Sequence, residues 1–410
     1  MVQGRRPGRA RVRACVAATA LVAGAAVGAC SSAGEGATDP EPAAVDEPAP
    51  PAPLPEGQNL YRPPLETLAG PPGSLIWFDE GTPIGGARAW RTLGRTTNRN
   101  GSARWLTARV FRPAGEAPEG GYPVAVWMHG TAGLADKCAP SRTAAPVPGV
   151  SNLLQAGFVV VAPDGAGLGV PGPAAYLVGD SQGHAVLDAA RGATQVPGAD
   201  AAARVALWGY SSGGQAVLFA AAQADEYAPE LTVLGTAAVA PVSDVARFAG
   251  RATAFPVSFG FGFMTFSAWA RVYGADPSTI FTEEALAERP VLETMCGDRI
   301  ATHFALTPVD RIRAADPETT PPWPALLAAN EAGTAPTTGP VLLVQGSDDP
   351  IIDPASTDEL AERLCGLDTT VELRPVAGAG HEVVLPVTPE IVAWLADRSL
   401  GVPPASTCSS

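Results

Sequence analysis

The chain predicts an α/β fold with a mostly parallel central sheet, flanked by helices and interrupted by an inserted cap subdomain. Past Tyr61, short apolar runs rich in β-branched residues alternate with helical patterns, which is typical of a parallel sheet. One block, residues 242–338, breaks this alternation between two strand signals. The composition, 46% hydrophobic and 17% charged over 410 residues, indicates a large core rather than a disordered chain or a coiled coil.

The N-terminal residues 1–29 predict a signal peptide. An arginine-rich start is followed by an uncharged, apolar run over 14–29, which is short for a membrane span and typical of a signal h-region. The run ends in Val27-Gly28-Ala29-Cys30, which resembles the bacterial lipoprotein signal, where the cysteine is acylated and becomes the new N-terminus. An ordinary secretory signal cleaved near Ala29 is the alternative. We expect export, with a membrane anchor through lipidated Cys30 or, without it, secretion.

Residues 30–56 predict a disordered tether. They are mostly Ser, Ala, Pro and acidic residues, and Pro-Ala-Pro-Pro-Ala-Pro at 48–53 favours extended polyproline geometry. The folded core is therefore expected over 57–241 and 339–404, on either side of the cap at 242–338.

The core elements follow from periodicity. The alternating stretch Arg104–Pro113 predicts an early antiparallel strand. Buried strands are predicted at Val124–Met128, Phe158–Ala162, Val205–Trp208, Thr232–Ala238, Val341–Val344 and Val371–Leu373. Helical patterns lie between them near Ala185–Arg191, Gln215–Ala224, Thr357–Leu364 and Glu390–Ala396.

The cap block concentrates aromatic residues, since five of the twelve phenylalanines lie close together within it. Their rings could line an apolar substrate pocket or form the cap's own core, and the spacing leaves both possibilities open. The five are Phe255, Phe259, Phe261, Phe263 and Phe266.

The charge balance excludes a polynucleotide-binding surface. Lys and Arg number 27 against 41 Asp and Glu, a formal net charge of -14, and the chain has a single lysine, Lys137. Binding to a phosphate backbone requires a basic footprint. We therefore expect no nucleic-acid partner.

In an exported protein, the remaining cysteines are expected to form disulfides rather than to stay reduced. Apart from Cys15 and Cys30, an even number remains, which in an exported chain favours two disulfides with three possible pairings. No Cys-x-x-Cys or Cys/His cluster indicates a metal site. The cysteines concerned are Cys138, Cys296, Cys365 and Cys408.

The strongest chemical signal is Gly209-Tyr210-Ser211-Ser212-Gly213-Gly214, between a predicted strand and a predicted helix. It fits the G-x-S-x-G nucleophile elbow, in which glycines permit a tight turn that projects the serine over the sheet. The helix offers its N-terminal dipole to a developing oxyanion. Ser212 is the rival nucleophile, but Tyr210 stands where its upstream glycine would be, so Ser211 is the candidate.

A base must lie nearby, because serine is a poor nucleophile until its proton is removed. Two histidines follow Ser211. His303 lies in a helical pattern inside the cap, whereas His381 follows a predicted strand and a glycine-containing loop. His381 is therefore the candidate base.

The acid that orients this base is expected after the strand at 341–344. Three carboxylates are available there, Asp348, Asp349 and Asp353. A G-x-x-D pattern selects Asp349, and the other two remain alternatives. Its carboxylate would accept the imidazole N–H, fix the tautomer and stabilise the imidazolium.

Longer stretches of the chain resemble the secretory lipase, or lipase A-like, family of the α/β-hydrolase superfamily. The resemblance spans roughly Tyr61 to Trp394. It rests on YRPP (61–64), HGTAG (129–133), CAPS (138–141), GFVVVAPDGAGLG (157–169), YLVG (176–179), GYSSGG (209–214) and YAPEL (227–231). The last stretch is rather specific, since most hydrolases lack it.

The resemblance implies an α/β-hydrolase fold with a cap before the catalytic aspartate. It also implies an oxyanion hole built from the backbone N–H of Ser212 and a second donor supplied by Asp164, with the loop after His129-Gly130 as the rival source of that second donor. The disulfides that it implies are Cys138–Cys296 and Cys365–Cys408.

Together these residues predict an exported serine hydrolase of carboxylic esters. A Ser-Asp-His triad and an oxyanion hole transfer an acyl group to water in two steps. The resemblance and the apolar cap favour a triacylglycerol lipase or carboxylesterase, which takes an ester or lipid substrate and needs no cofactor or metal. The alternatives are a serine peptidase of the same fold and an inactive surface binding lipoprotein.

Overall fold

The computed structural model describes Met1, residues 49–254 and residues 256–408. The rest of the predicted signal peptide, the predicted lipidation site Cys30 and the predicted tether as far as residue 48 lie outside the described residues. Within the described part of the chain, no helix has both the length and the apolar character needed to cross a membrane.

A ten-stranded sheet organises the described chain. Its strands are β1 (Ala52–Pro53), β2 (Leu75–Glu80), β3 (Arg88–Thr97), β4 (Ala103–Arg112), β5 (Tyr122–Met128), β6 (Val159–Pro163), β7 (Ala201–Tyr210), β8 (Thr232–Val239), β9 (Val341–Gly346) and β10 (Val371–Val376). The order across the sheet is β1-β2-β3-β4-β6-β5-β7-β8-β9-β10. Pairing is antiparallel from β2 through β4 to β6 and parallel from β6 to β10. The predicted α/β class with a mostly parallel sheet is confirmed.

Helices cover both faces of the sheet. Those of the described chain are α1 (Pro140–Thr143), α2 (Val150–Gln155), α3 (Gly179–Thr194), α4 (Ser212–Tyr227), α5 (Val245–Ala254), α6 (Pro256–Tyr273), α7 (Glu283–Ala287), α8 (Val291–Thr294), α9 (Gly297–Phe304), α10 (Trp323–Ala329), α11 (Pro354–Gly366) and α12 (Val384–Ser399). On β5, Val124 and Val126 pack with α3 and α4, whereas Ala125 and Trp127 pack with α2 and α12. Because both faces are buried, the central strands are continuous apolar runs.

The antiparallel half of the sheet was harder to predict than the parallel half. The predicted buried strands correspond to β5 to β10 within a few residues, but β2 and β3 have no predicted counterpart. In β3, Arg and Thr alternate irregularly with apolar residues, and buried positions occur in adjacent pairs. Such a strand shows neither the period of two nor the apolar run that identifies a strand from sequence.

The end of the predicted tether joins the sheet. Ala52 and Pro53 pair in parallel with Trp77 and Phe78 of β2, and the N–H of Leu54 donates to the carbonyl of Phe78 over 2.8 Å. An edge strand has backbone N–H and C=O groups without partners. An extended proline-rich segment can form hydrogen bonds with some of these groups even though it has few side chains to bury in a core. Residues 52–54, which lie within the predicted tether, therefore belong to the folded part of the chain.

The residues between β8 and β9 form a mostly helical block that carries α5 to α10. Three of its clustered phenylalanines are buried among other aromatic rings of the block, and so form its own core: Phe259, Phe263 and Phe266. Phe261 instead packs near Phe248, with ring centroids 6.4 Å apart. Phe255 lies outside the described residues.

Candidate active site

Ser211 occupies the sharp turn between β7 and α4. Its backbone has φ 56° and ψ -117°, a conformation that residues other than glycine rarely adopt. Two glycines make the turn possible: a Cβ on Gly209 would lie 2.3 Å from the carbonyl oxygen of Gly213, and one on Gly213 would lie 2.1 Å from that of Met128. The N–H of Ser211 donates to Val239 over 2.9 Å and helps to hold this conformation. Such strain is characteristic of functional positions.

Ser211, His381 and Asp349 form a continuous hydrogen-bonded chain. His381 Nε2 lies 3.1 Å from Ser211 Oγ, and His381 Nδ1 lies 2.8 Å from Asp349 Oδ2. A carboxylate accepts a proton, so Nδ1 is the donor and Nε2 is left as an acceptor facing the serine hydroxyl. The three residues follow β7, β9 and β10, whose carboxyl ends meet at one edge of the sheet because these strands are parallel.

Asp349 is held firmly in place and is only 3% exposed. Its Oδ1 accepts the backbone N–H groups of Ile351 and Ile352 at 2.8 and 2.9 Å, and its Oδ2 accepts Gln345 Nε2 at 3.0 Å. Burial raises the pKa of Asp349, but the hydrogen bonds from His381 and the backbone outweigh it and hold the pKa below its ordinary range. The carboxylate is therefore ionised. Gln345, which the sequence patterns did not single out, helps to orient it.

The rival residues are engaged elsewhere. Ser212 Oγ lies 3.5 Å from Thr131 Oγ1. His303 lies on α9, where its ring pairs with a carboxylate of the cap. Asp348 is exposed and accepts a neighbouring serine hydroxyl, and Asp353 caps the N-terminus of α11.

Asp164, predicted as the second oxyanion-hole donor, has both its backbone N–H and its carboxylate engaged in other hydrogen bonds. Its backbone N–H donates to the carbonyl of Thr107 over 2.9 Å, in continuation of the β4–β6 pairing, so this proton is already used. The carboxylate, in a residue only 1% exposed, accepts the hydroxyl of Thr107 and both the N–H and the hydroxyl of Ser141. Its carbonyl oxygen lies 3.1 Å from Nε2 of His129. Asp164 therefore holds two segments next to the active site, one through His129 and the other through Ser141.

Several backbone N–H groups beside Ser211 make no hydrogen bond to another described residue. They include that of Ser212, the first residue of α4, and that of Thr131 on the loop after His129-Gly130. The side chains of Thr131 and Ser212 face each other, so the two residues are adjacent. The rival loop weighed from the sequence thus reaches the site, and Thr131 is the residue in it that the patterns did not identify.

A cavity of about 310 Å³ contains Ser211 and His381 and is bounded by the loop at 129–132. Its wall combines apolar side chains with two carboxylates: Phe248, Phe261, Ile351, Pro140 and Ala145, and Asp298 and Glu382. The hydroxyl of Tyr210 donates to Glu382 over 3.3 Å, and burial together with that carboxylate raises the pKa of Tyr210. Among the described residues, no group of three or more His, Cys, Asp or Glu side chains could hold a metal ion.

Two disulfides are present, Cys138–Cys296 and Cys365–Cys408, the pairings that the resemblance implies. The first joins the chain beside the cavity to the start of α9 in the cap. A hydrogen bond of 2.9 Å from the N–H of Gly297 to the carbonyl of Ala132 reinforces this connection. The cap is thereby fastened to the loop that carries Thr131. The second disulfide ties the end of α11 to the C-terminal segment.

Solved structures share this architecture. Candida antarctica lipase A in its closed state superposes with a TM-score of 0.73 at 20% identity, covering 87% of this chain and 89% of that one. The rice cell wall degrading esterase LipA from Xanthomonas oryzae gives a TM-score of 0.69 at 18% identity, covering 79% and 97%. At these identities the likeness concerns the fold, and it confirms the α/β-hydrolase fold.

Proteins related by sequence include several lipases. A probable inactive lipase from Mycobacterium tuberculosis is 27% identical over 382 residues, covering 85% of this chain and 83% of that protein. Lipase A from Arthroderma benhamiae is 27% identical over 286 residues, and the match spans 64% of this chain and 57% of that protein. The profile of the secretory lipase family matches residues 139–407, more than half of the chain. The chain belongs to the secretory lipase family.

Proposed function

We propose that this protein hydrolyses carboxylic esters through an acyl-enzyme intermediate on Ser211. The observation that carries the proposal is the hydrogen-bonded chain from Ser211 through His381 to Asp349, at 3.1 and 2.8 Å. Family membership and the lipase and esterase structural neighbours support an ester hydrolase at the level of reaction class.

The geometry supports a two-step reaction. His381 Nε2 takes the proton of Ser211 as Oγ attacks the ester carbonyl carbon, and Asp349 stabilises the resulting imidazolium. The imidazolium then gives its proton to the departing alkoxide, which leaves as the alcohol. Water, deprotonated by the same Nε2, attacks the acyl-enzyme, and the acid is released as Ser211 regains its proton.

The negative charge that develops on the carbonyl oxygen needs two donors. We assign these to the backbone N–H groups of Ser212 and Thr131, because both are free of other acceptors within the described residues and flank Ser211. The Ser212 N–H also lies at the N-terminus of α4, where the helix dipole favours negative charge. Removing such a donor in other hydrolases costs about 10²–10³ in kcat.

The substrate class follows from the lining of the cavity. Phe248, Phe261 and Ile351 offer apolar surface to an acyl chain, and the carboxylates of Asp298 and Glu382 disfavour an anionic substrate by like-charge repulsion. Uncharged esters are therefore preferred. Within that class we propose acylglycerols, which makes the protein a triacylglycerol lipase or carboxylesterase.

Hydrolysis of p-nitrophenyl esters of increasing acyl length tests the proposal. Ser211→Ala should abolish activity, while Ser399→Ala, a serine on the distant end of α12, should leave it unchanged. His381→Gln should be inactive, whereas His303→Gln on the cap should retain activity. A fluorophosphonate probe should label the parent protein, and the adduct should map to Ser211 by peptide mass spectrometry.

The outcomes separate the candidate functions. Cleavage of long-chain esters and of emulsified triacylglycerol supports the lipase assignment, and cleavage confined to short esters reduces it to an esterase. A protein that is labelled by the probe but cleaves peptides instead of esters is the predicted peptidase alternative. One relative is named a probable inactive lipase, and a protein that neither hydrolyses esters nor reacts with the probe would be an inactive binding scaffold.

Export is consistent with the family and with the two disulfides, since such bonds persist in oxidising compartments. We further propose an N-terminal lipid anchor on Cys30. Fractionation of cells that express the parent chain and Cys30→Ala tests this. The parent should sediment with membranes and the variant should appear in the medium, and equal distribution of the two would refute the anchor.

A further inference from the structure

A second cavity, of about 440 Å³, borders the segment 140–145, which also borders the active-site cavity. Pro140 and Ala145 line the active-site cavity, whereas Ser141 and Ala144 line the second one. Three arginines line this second cavity, Arg91, Arg109 and Arg142. We call it the arginine pocket.

Such a concentration of positive charge is unusual in this chain, whose formal net charge is -14. Arg91 forms an ion pair with Asp79. Within the described residues, Arg109 and Arg142 have no ion pair. One carboxylate, the exposed Glu80, also lines the arginine pocket and offsets only part of the charge.

The guanidinium groups are held in position by contacts that leave their charge unneutralised. Arg109 lies over the ring of Phe111, at 4.7 Å from its centroid, and donates to the carbonyl of Ala145 over 2.5 Å. Arg142 lies over the ring of Tyr61 at 4.5 Å. Stacking of this kind fixes the plane of a guanidinium while its remaining N–H groups stay available.

The guanidinium of Arg109 is partly desolvated in this arrangement. It is half-buried, and burial lowers its pKa, an effect that the nearby carboxylate of Asp164 only partly offsets. A partly desolvated cation without a paired anion is unfavourable, and an anion entering the cavity would relieve that cost. Arginine is suited to this because its planar fork presents two parallel N–H groups to two oxygens of one ligand.

We propose that the arginine pocket binds an oxyanion, a carboxylate or a phosphate, between Arg109 and Arg142 with Arg91 contributing to the field. The site is separate from the serine and from the donors that flank it, and its occupation does not depend on the reaction proposed above. Two sources share this chemistry: the carboxylate of a small organic acid, such as the acid that ester hydrolysis releases, and a phosphate group.

Binding can be tested on the exported protein by isothermal titration calorimetry with sodium butyrate and, separately, with inorganic phosphate, at constant ionic strength in chloride. The parent should bind at least one of the two saturably, with one site per chain. If Ser211 reacts with a fluorophosphonate, the titration should be repeated on the labelled protein, in which anions cannot occupy the neighbouring oxyanion hole. Butyrate binding alone indicates an organic acid as the ligand, and phosphate binding alone indicates a phosphate group.

Variants locate the site. Arg109→Gln should weaken binding at least about tenfold, because a charge-assisted bidentate contact is lost. Arg142→Gln, at an exposed position, should weaken it similarly and serves if Arg109→Gln fails to fold. Arg271→Gln removes an exposed arginine of the cap that pairs with Glu293, and should leave binding unchanged.

The proposal is overturned if the protein binds neither anion saturably, or if labelling of Ser211 abolishes the binding. It is also overturned if Arg271→Gln weakens binding as much as Arg109→Gln and Arg142→Gln do, because the effect would then come from net charge rather than from this cavity.

Discussion

Replacing Asp349 by Asn probes the proposed catalytic chain with almost no change in shape. The structure dictates how the amide must sit. Oδ1 accepts two backbone N–H groups, those of Ile351 and Ile352, so the oxygen of the new amide must occupy that position. The NH₂ group then lies where Oδ2 was, 2.8 Å from His381 Nδ1. It donates to Nδ1, which forces the ring proton onto Nε2, opposite the hydroxyl of Ser211.

In that tautomer Nε2 cannot accept the serine proton, and the base is lost while the geometry remains. In serine hydrolases with the same arrangement, this change lowers kcat by about 10⁴, equivalent to about 5 kcal/mol of transition-state stabilisation. We expect a similar loss for Asp349→Asn. The NH₂ group also meets Gln345 Nε2, which was a donor to Oδ2, so about 1–3 kcal/mol of stability should be lost as well.

Steady-state hydrolysis of p-nitrophenyl butyrate measures the first effect, and urea denaturation measures the second. KM should change little, because the side chain does not touch the substrate cavity. Asp348→Asn is the matched control: it alters an exposed carboxylate one residue away and should retain the parent kcat. If Asp349→Asn keeps more than about a tenth of the parent kcat in folded protein, the tautomer argument is wrong. If Asp348→Asn is the inactive variant, the acid has been misassigned.

Three further predictions concern stability. Removing the first disulfide with Cys138→Ser and Cys296→Ser should lower the free energy of unfolding by about 5 kcal/mol, because the bond closes a loop with a sequence separation of 158. A loss below about 1 kcal/mol, measured by urea denaturation, would contradict this prediction. Asp164→Ala should lower the free energy of unfolding by at least about 2 kcal/mol, because the N–H and the hydroxyl of Ser141 lose a buried acceptor. An unchanged urea denaturation curve would show that these two groups find another acceptor. The folded pKa of Asp349 is below its unfolded value of about 3.9, so its stabilising contribution is fully present above that pH and is lost as the pH falls through the folded pKa. Unfolding curves from pH 6 downward should therefore show a smaller acid-induced loss in Asp349→Asn than in the parent, and equal losses would refute the assignment.

The sequence alone predicts a structural feature where the residues of a short motif are fixed by local steric requirements. The elbow around Ser211 is predictable because only glycine tolerates the contacts at Gly209 and Gly213, which makes the spacing of the residues a steric requirement. The central strands are predictable because burial on both faces demands continuous apolar runs. Chain order along a parallel sheet then placed His381 and an aspartate after later strands at the same edge.

Tertiary structure decided which of several equivalent residues is used. Three aspartates follow β9, and the G-x-x-D pattern favours Asp349 but leaves the other two as alternatives. The hydrogen bonds of Asp349 to the backbone and to His381 are what distinguish it from them. Asp164 lies in a family-like stretch, yet pairing with Thr107 on a distant strand consumes its N–H. The arginine pocket is assembled from residues far apart in the chain. Hydrogen-bond partners and burial depend on contacts between distant segments, so a one-dimensional pattern does not contain them.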